Sequence, residues 1–168
     1  MNQPPELCLV VCGTRAAVGG TFDKFHKGHR KFLSTALDGS EELVIGITSD
    51  EFAMASKDHP VEPFDIRLEN VKRFVQKKGR GKKVEIVKLE DPYGPTVEDE
   101  KLEVLFVTAS TKCRGEEINF RRVKNGLKPL KIVEVPMELA EDGEPISTSR
   151  IRDQVIDSEG RLLRKTKG

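Results

Sequence analysis

The residues of this chain best suited to chemistry are two histidines three positions apart. They follow a glycine pair in the string Gly19-Gly20-Thr21-Phe22-Asp23-Lys24-Phe25-His26-Lys27-Gly28-His29. Adjacent glycines let the backbone turn tightly and approach a bound phosphate, because no Cβ stands in the way. At a spacing of three, both imidazoles project from one face of a helix's first turn. Gly28 between them leaves a flat place against which a nucleobase can pack. The positive end of the helix dipole and two ring N–H donors then converge on one anion position. Zinc ligation is the competing use of paired histidines, but it needs a third and a fourth ligand. The chain has one other histidine, His59, and neither an HExxH nor a CxxC pattern.

A second set of phosphate-binding residue types stands near the C-terminus, in Ile146-Ser147-Thr148-Ser149-Arg150-Ile151-Arg152. Three consecutive hydroxyl side chains after Glu144-Pro145 mark a helix start. Hydroxyls and unpaired backbone N–H groups can hold phosphate oxygens together there, and Arg150 and Arg152 add charge. Taken alone, the run reads as a well-capped surface helix; its meaning comes from standing in one chain with the histidine string.

The elements that must position these residues alternate along the chain. Glu42 to Ser49, Lys83 to Leu89, Leu102 to Thr108 and Lys131 to Val135 read as strands, β-branched or alternating and bounded by polar turns. Ala16 to Val18 is assigned as the strand that feeds the glycine pair, and Leu7 to Cys12 as an extra edge strand or arm. Phe32, Leu33, Ala36 and Leu37 share one helix face; Leu68, Val71, Phe74 and Val75 share another that ends in lysines and Gly79; Ile118 to Asn125 is a third, closed by Gly126. Strand and helix in alternation imply an α/β domain: a parallel sheet of about five strands with helices on both faces, and ligands at the carboxyl ends of the strands.

Composition bounds the function classes. A length of 168 residues predicts one domain spanning 1–168, with an N-terminal arm over 1–14 and a flexible tail over 161–168. The longest apolar run, Leu7 to Cys12, is far short of the ~20 residues a membrane-spanning helix needs. No secretory signal is visible, and three cysteines (Cys8, Cys12, Cys113) cannot all pair, so the expected compartment is the cytoplasm. Twenty-nine Lys and Arg against 28 Asp and Glu give a net charge of +1, which supplies no general field for nucleic acid or an anionic membrane. The basic run Lys72 to Lys83 spans a helix end and turn and is read as a solvated face. Any anion must be met locally.

The string from Gly19 to His29 resembles the HxGH signature of the nucleotidyltransferase superfamily, and Ile146 to Arg152 is similar to its ISSTxIR motif, with a hydroxyl kept at each position. Three further segments resemble the archaeal and eukaryotic phosphopantetheine adenylyltransferases: Leu89-Glu90-Asp91-Pro92-Tyr93-Gly94-Pro95-Thr96 with Asp99, Thr48-Ser49-Asp50-Glu51, and Arg114-Gly115-Glu116-Glu117-Ile118-Asn119 leading to Gly126-Leu127-Lys128-Pro129-Leu130. The chain length matches the single-domain archaeal form rather than the eukaryotic one with its fused kinase domain. One departure is Ala109-Ser110-Thr111-Lys112-Cys113, where the family usually reads Ser-Glu-Glu-Thr-Tyr.

The resemblance implies a Rossmann-like fold and transfer of AMP from ATP to 4′-phosphopantetheine, giving dephospho-coenzyme A and pyrophosphate, with Mg²⁺ on the ATP phosphates and no protein metal ligands. It implies ATP contacts from Gly19, Gly20, Thr21, Phe22, His26, Gly28, His29, Ser147, Thr148, Ser149 and Arg152. His29 would stabilise the pentacoordinate α-phosphate with support from His26. Lys57 would lie between the nucleophile and that phosphate, Arg114 would reach the phosphates, and Thr21 and Lys57 would hold the acceptor. A phosphate monoester with its second pKa near ~6 is already an anionic nucleophile at neutral pH, so the reaction needs alignment and charge neutralisation rather than a general base. Two other readings stand beside this one: another superfamily member that transfers a cytidylyl or adenylyl group to glycerol phosphate, FMN or NMN, and a non-catalytic nucleotide-sensing module.

Overall fold

The computed structural model describes residues 13–164. Leu7 to Cys12, expected as an edge strand or arm, lies outside the described residues.

Five strands form one parallel sheet: β1 (Arg15–Gly20), β2 (Glu42–Thr48), β3 (Lys83–Leu89), β4 (Val104–Val107) and β5 (Lys131–Glu134), in the order β3-β2-β1-β4-β5. The helices are α1 (Lys27–Asp38), α2 (Asp50–Ser56), α3 (Phe64–Lys78), α4 (Lys112–Lys124) and α5 (Thr148–Arg152). This is the expected α/β architecture, and alternation along the strands explains why both faces carry helices. Ala16 and Val18 of β1 and Leu43, Ile45 and Ile47 of β2 pack with Phe32, Leu33, Ala36 and Leu37 of α1 and Val71 of α3. The intervening Ala17 and Val44 join Leu105, Val107 and Ile118 on the other face.

Several boundaries differ from expectation for physical reasons. Ser49 does not extend β2; its hydroxyl caps α2 by accepting the Phe52 N–H at 3.0 Å. Helix α4 starts six residues earlier than Ile118, because its first turn is polar and exposed and shows no apolar periodicity. Its end is as expected: Gly126, at φ +78°, lets Leu127 N–H reach Arg122 O (2.8 Å) and Gly126 N–H reach Val123 O (3.1 Å), the paired bonds of a Schellman stop. The tail reading needs correction over Arg161 to Arg164. Leu163 N–H bonds Val155 O at 2.9 Å and Leu162 N–H bonds a Glu141 carboxylate oxygen at 2.8 Å, which ties this stretch to the small cluster of Ala140, Ile146 and Ile156. No helix of the described residues is long and apolar enough to cross a membrane.

From β1 the chain moves outward to β2 and β3, then returns to the other side of β1 for β4 and β5. The crevice where the order reverses, at the carboxyl ends of β1 and β4, is where ligands of open α/β sheets bind. Gly19 and Gly20 end one of these strands, and Thr108 follows the other.

Candidate active site

A cavity of about 640 Å³ opens at that crevice, a volume suited to a nucleotide or cofactor-sized ligand. Its walls include Gly19, Gly20, Thr21, Phe22, Asp23, His26, Gly28 and His29 from the loop after β1 and the start of α1. The loop turns on Phe22 (φ 55°) and Lys24 (φ 51°) rather than on the glycines. A left-handed backbone at non-glycine residues costs on the order of 1 kcal/mol each and persists where surroundings hold it. Here the buried Phe22 ring is one anchor. The others are Glu62 N–H donating to Asp23 Oδ1 (2.9 Å) and Lys24 N–H donating to Glu62 Oε1 (2.6 Å).

His26 is the N-cap of α1, and His29 is its third residue. Each ring's Nδ1 accepts the other residue's backbone N–H, at 3.4 Å and 3.3 Å. This is a capping box built from two imidazoles instead of a hydroxyl and a carboxylate. With Nδ1 accepting, the hydrogen of each neutral ring sits on Nε2, so both rings offer the cavity an N–H donor. The rings stack with centroids 3.7 Å apart, while Phe25 stacks on His29 and Phe22 meets its edge. Burial pushes His26 down to about 4, with the Arg30 charge adding to the effect and Asp23 opposing it. Burial also pushes His29 down to about 3, with the His26 ring and Arg30 adding to it. Both are therefore neutral donors at physiological pH, and neither has a free basic nitrogen.

Gly28 lines the cavity, and it has a second reason to be glycine: a Cβ there would lie 2.9 Å from His26 Cε1.

Beneath the loop sits a residue that sequence reading passes over. Arg67 of α3 is 0% exposed. Its Nε donates to Glu62 O (2.7 Å), Nη1 to Thr21 O (3.0 Å) and Thr48 O (2.7 Å), and Nη2 to Asp50 Oδ1 (2.9 Å). One guanidinium thus joins the loop after β1, the end of β2, the start of α2 and the approach to α3. In sequence it looks like any helical arginine. Arg122 of α4, 1% exposed, does the same elsewhere: it holds Thr96 O, Asp99 O and Lys128 O at 2.6, 2.9 and 2.8 Å.

Of the remaining expected residues, Lys57, at the end of α2, and Arg114, in the first turn of α4, both line the cavity. Arg114 is not free there: its Nη1 donates to Glu117 Oε2 at 3.1 Å and its guanidinium lies over the Tyr93 ring, while Tyr93 Oη donates to Glu117 Oε1. Ser147, Thr148 and Ser149 reach the cavity at the start of α5, where Thr148 Oγ1 donates to Asp23 O (3.1 Å). Arg152 does not line it. It stands a full turn beyond Thr148, about 6 Å along the helix, and its Nη1 is buried without a hydrogen-bond partner. Arg150 is committed to Asp142 and the carbonyls of Glu144 and Pro145. Of the nitrogen-bearing candidates, then, His26, His29, Lys57 and Arg114 line one cavity and Arg152 is set back from it.

Among apolar side chains and the carboxylates of Asp23 and Glu138, the cavity wall carries the imidazole N–H groups, the hydroxyls of Thr21 and Ser147 to Ser149, and Lys57, which has no ion-pair partner among the described residues. This set of donors suits binding and aligning anionic groups. Among the described residues, no group of three His, Cys, Asp or Glu side chains is placed to hold a metal ion.

A family model described as cytidylyltransferase-like matches residues 17–154. Curated relatives named phosphopantetheine adenylyltransferase include one from Methanopyrus kandleri, 45% identical over 84% of this chain and 90% of its own. Another, from Methanothermobacter thermautotrophicus, is 42% identical over 90% and 91%. A crystal structure of a protein of unknown function from Archaeoglobus fulgidus superposes with a TM-score of 0.64 at 39% identity, covering 74% of this chain and 99% of that one.

Proposed function

Because the chain belongs to the cytidylyltransferase-like family and, within it, to the archaeal phosphopantetheine adenylyltransferases, we propose that it transfers AMP from ATP to 4′-phosphopantetheine in coenzyme A biosynthesis. A phosphate oxygen of the acceptor bonds to the α-phosphorus of ATP, the bond from that phosphorus to the β-bridging oxygen breaks, and pyrophosphate leaves; dephospho-coenzyme A is the product. The observation that carries this reading is the neutral, stacked His26 and His29 pair. Both basic nitrogens are occupied by backbone N–H groups, so the pair offers donors for a crowded phosphate and does not itself serve as a base for a hydroxyl. A phosphate monoester needs none, since its second pKa near ~6 leaves it anionic at neutral pH.

In this reading the Nε2–H groups of His29 and His26 bond the α-phosphate oxygens as negative charge grows there. Gly19, Gly20, Phe22 and Gly28 shape the backbone against the triphosphate, and Ser147, Thr148 and Ser149 hold its far end. Arg152 assists from behind with its unpartnered Nη1. Lys57 and Thr21 hold the acceptor phosphate in line, and Arg114 neutralises the leaving pyrophosphate after exchanging Glu117 for it. Mg²⁺ enters as part of the substrate, on the triphosphate. Of the two carboxylates on the wall, Glu138 is taken by Lys27 and Lys31, while Asp23 accepts the Glu62 N–H on Oδ1 and keeps Oδ2 without a partner. The cysteine usage and nearly neutral charge support a cytoplasmic enzyme with small-molecule partners.

The test is to incubate the protein with MgATP and 4′-phosphopantetheine, quantify pyrophosphate and identify the product by mass. Parallel arms carry CTP in place of ATP, and glycerol phosphate, FMN or NMN in place of the acceptor. Dephospho-coenzyme A is expected. Pyrophosphate released only in another arm, or in none, overturns the assignment.

A further inference from the structure

We propose that Arg67 and Thr48 are positioning residues that fix the hydroxyl of Thr21 as a hydrogen-bond donor toward the acceptor's phosphate, an inference that rests on reading the cavity as the adenylyl-transfer site. A threonine hydroxyl has one hydrogen and two lone pairs, and it can present either to a ligand. An anionic phosphate has only acceptors to offer. A hydroxyl that turns a lone pair toward it repels it, so the direction of this hydroxyl matters to binding and to alignment.

The direction is set from the interior. Arginine carries five N–H donors, no acceptor, and a proton it does not lose. The fully buried Arg67 directs Nη1 at Thr48 Oγ1 (3.3 Å) as well as at the carbonyls of Thr48 and Thr21. Thr48 Oγ1 is thereby an acceptor on its inner side, and its own hydrogen goes to Thr21 Oγ1 at 3.2 Å. Thr21 Oγ1 is then an acceptor toward Thr48. One lone pair is thereby used and its hydrogen is left uncommitted, free to point into the cavity, which Thr21 lines. Thr48 borders the same cavity at 8% exposure, and its hydroxyl is engaged on both sides by Arg67 and Thr21. A polarity that begins at a permanent cation thus passes through two hydroxyls and emerges as a donor at the strand ends where the anions meet. The carbonyl bonds of Arg67 suffice to hold the backbone, and the hydroxyl chain adds only direction.

Thr48→Val removes the hydroxyl but keeps the branched shape and the carbonyl that Arg67 grips, and Thr48→Ala guards against a misfit of the valine. Both variants are expected to raise KM for 4′-phosphopantetheine about fivefold, the worth of one net hydrogen bond, with KM for ATP held within about twofold. Thr48→Ser, which keeps the hydroxyl, restores the acceptor KM. In a Thr21→Val background the Thr48→Val change adds nothing, because the group it directs is gone. An unchanged acceptor KM in both Thr48 variants overturns the inference. So do equal rises for both substrates, or additivity with Thr21→Val, which mark a merely structural role. If the unsubstituted protein releases no pyrophosphate with this acceptor, the functional reading falls and takes the inference with it. Turnover by that protein with an unmoved KM in the variants refutes the inference alone.

Discussion

His26 and His29 stack with ring centroids 3.7 Å apart and planes inclined by 19°, each imidazole accepting the other's backbone N–H. Two cations at this separation would repel strongly, and two neutral rings do not. The stack therefore works as a pair of N–H donors, pre-set where charge develops, with no reorganisation needed during the reaction. His29→Ala should lower kcat by more than about tenfold while changing ATP affinity less, as expected of a group engaged mainly in the transition state. Steady-state kinetics beside nucleotide titration calorimetry checks this. Equal losses in binding and turnover contradict it.

The same pair makes stability depend on pH. Unfolded histidine titrates near 6.5, whereas in the fold His26 is held at about 4 and His29 at about 3. The unfolded chain therefore binds protons first as pH falls. The stability these neutral rings preserve is complete above about pH 6.5 and is lost progressively below it, toward the folded values. Between pH 6.5 and 5, above the range in which carboxylates titrate, the urea midpoint should fall with pH. His26→Asn, which keeps a side-chain cap, should flatten that slope. A midpoint constant across this window in the unsubstituted protein refutes the neutral assignment.

Gly28 should tolerate no side chain. A Cβ would stand 2.9 Å from His26 Cε1 and 3.0 Å from Nδ1, so the ring must leave the stack. Gly28→Ala should cost more than about tenfold in turnover. In an exposed helical turn the same change normally stabilises by roughly 0.4–1 kcal/mol, so the melting temperature should fall little or not at all. Full activity in this variant is incompatible with the stack being the working arrangement.

Arg122 is predicted to matter for folding rather than chemistry. Its guanidinium serves the carbonyls of Thr96, Asp99 and Lys128, joining the Asp91 to Asp99 segment to α4. Arg122→Met removes the donors and leaves those acceptors short of partners, at a cost of about 3 kcal/mol or more. Denaturant unfolding should show that loss, while the ATP KM of the remaining folded protein changes little.

The scaffold was largely legible because apolar β-branched runs and helical stripes announce β1 to β5 and most of α1, α3 and α4. Helix α2 was not, since seven residues burying only Ala53 leave no stripe to see. The glycine pair by residue type, and the hydroxyl run by its resemblance to a phosphate-binding motif, pointed to segments that both line the cavity. The ring-to-backbone capping of His26 and His29 was illegible because cap chemistry is expected of Ser, Thr, Asp and Asn. Arg67 and Arg122 were missed for a deeper reason. Their partners are mainly backbone carbonyls that only the folded chain brings together, and nothing local separates them from solvated arginines. Arg152 was expected at the phosphates from the motif's resemblance, and the pitch of a five-residue helix sets it back from the cavity lining.

The central claim is that this site aligns two anions for direct transfer, with no protein group as base or nucleophile. The most direct measurement uses ATP with sulfur replacing one non-bridging α-oxygen in a single configuration, and determines the configuration at that phosphorus in the product. One in-line displacement by the acceptor phosphate predicts inversion. Retention would require two displacements through a nucleotidylated side chain and would contradict the account.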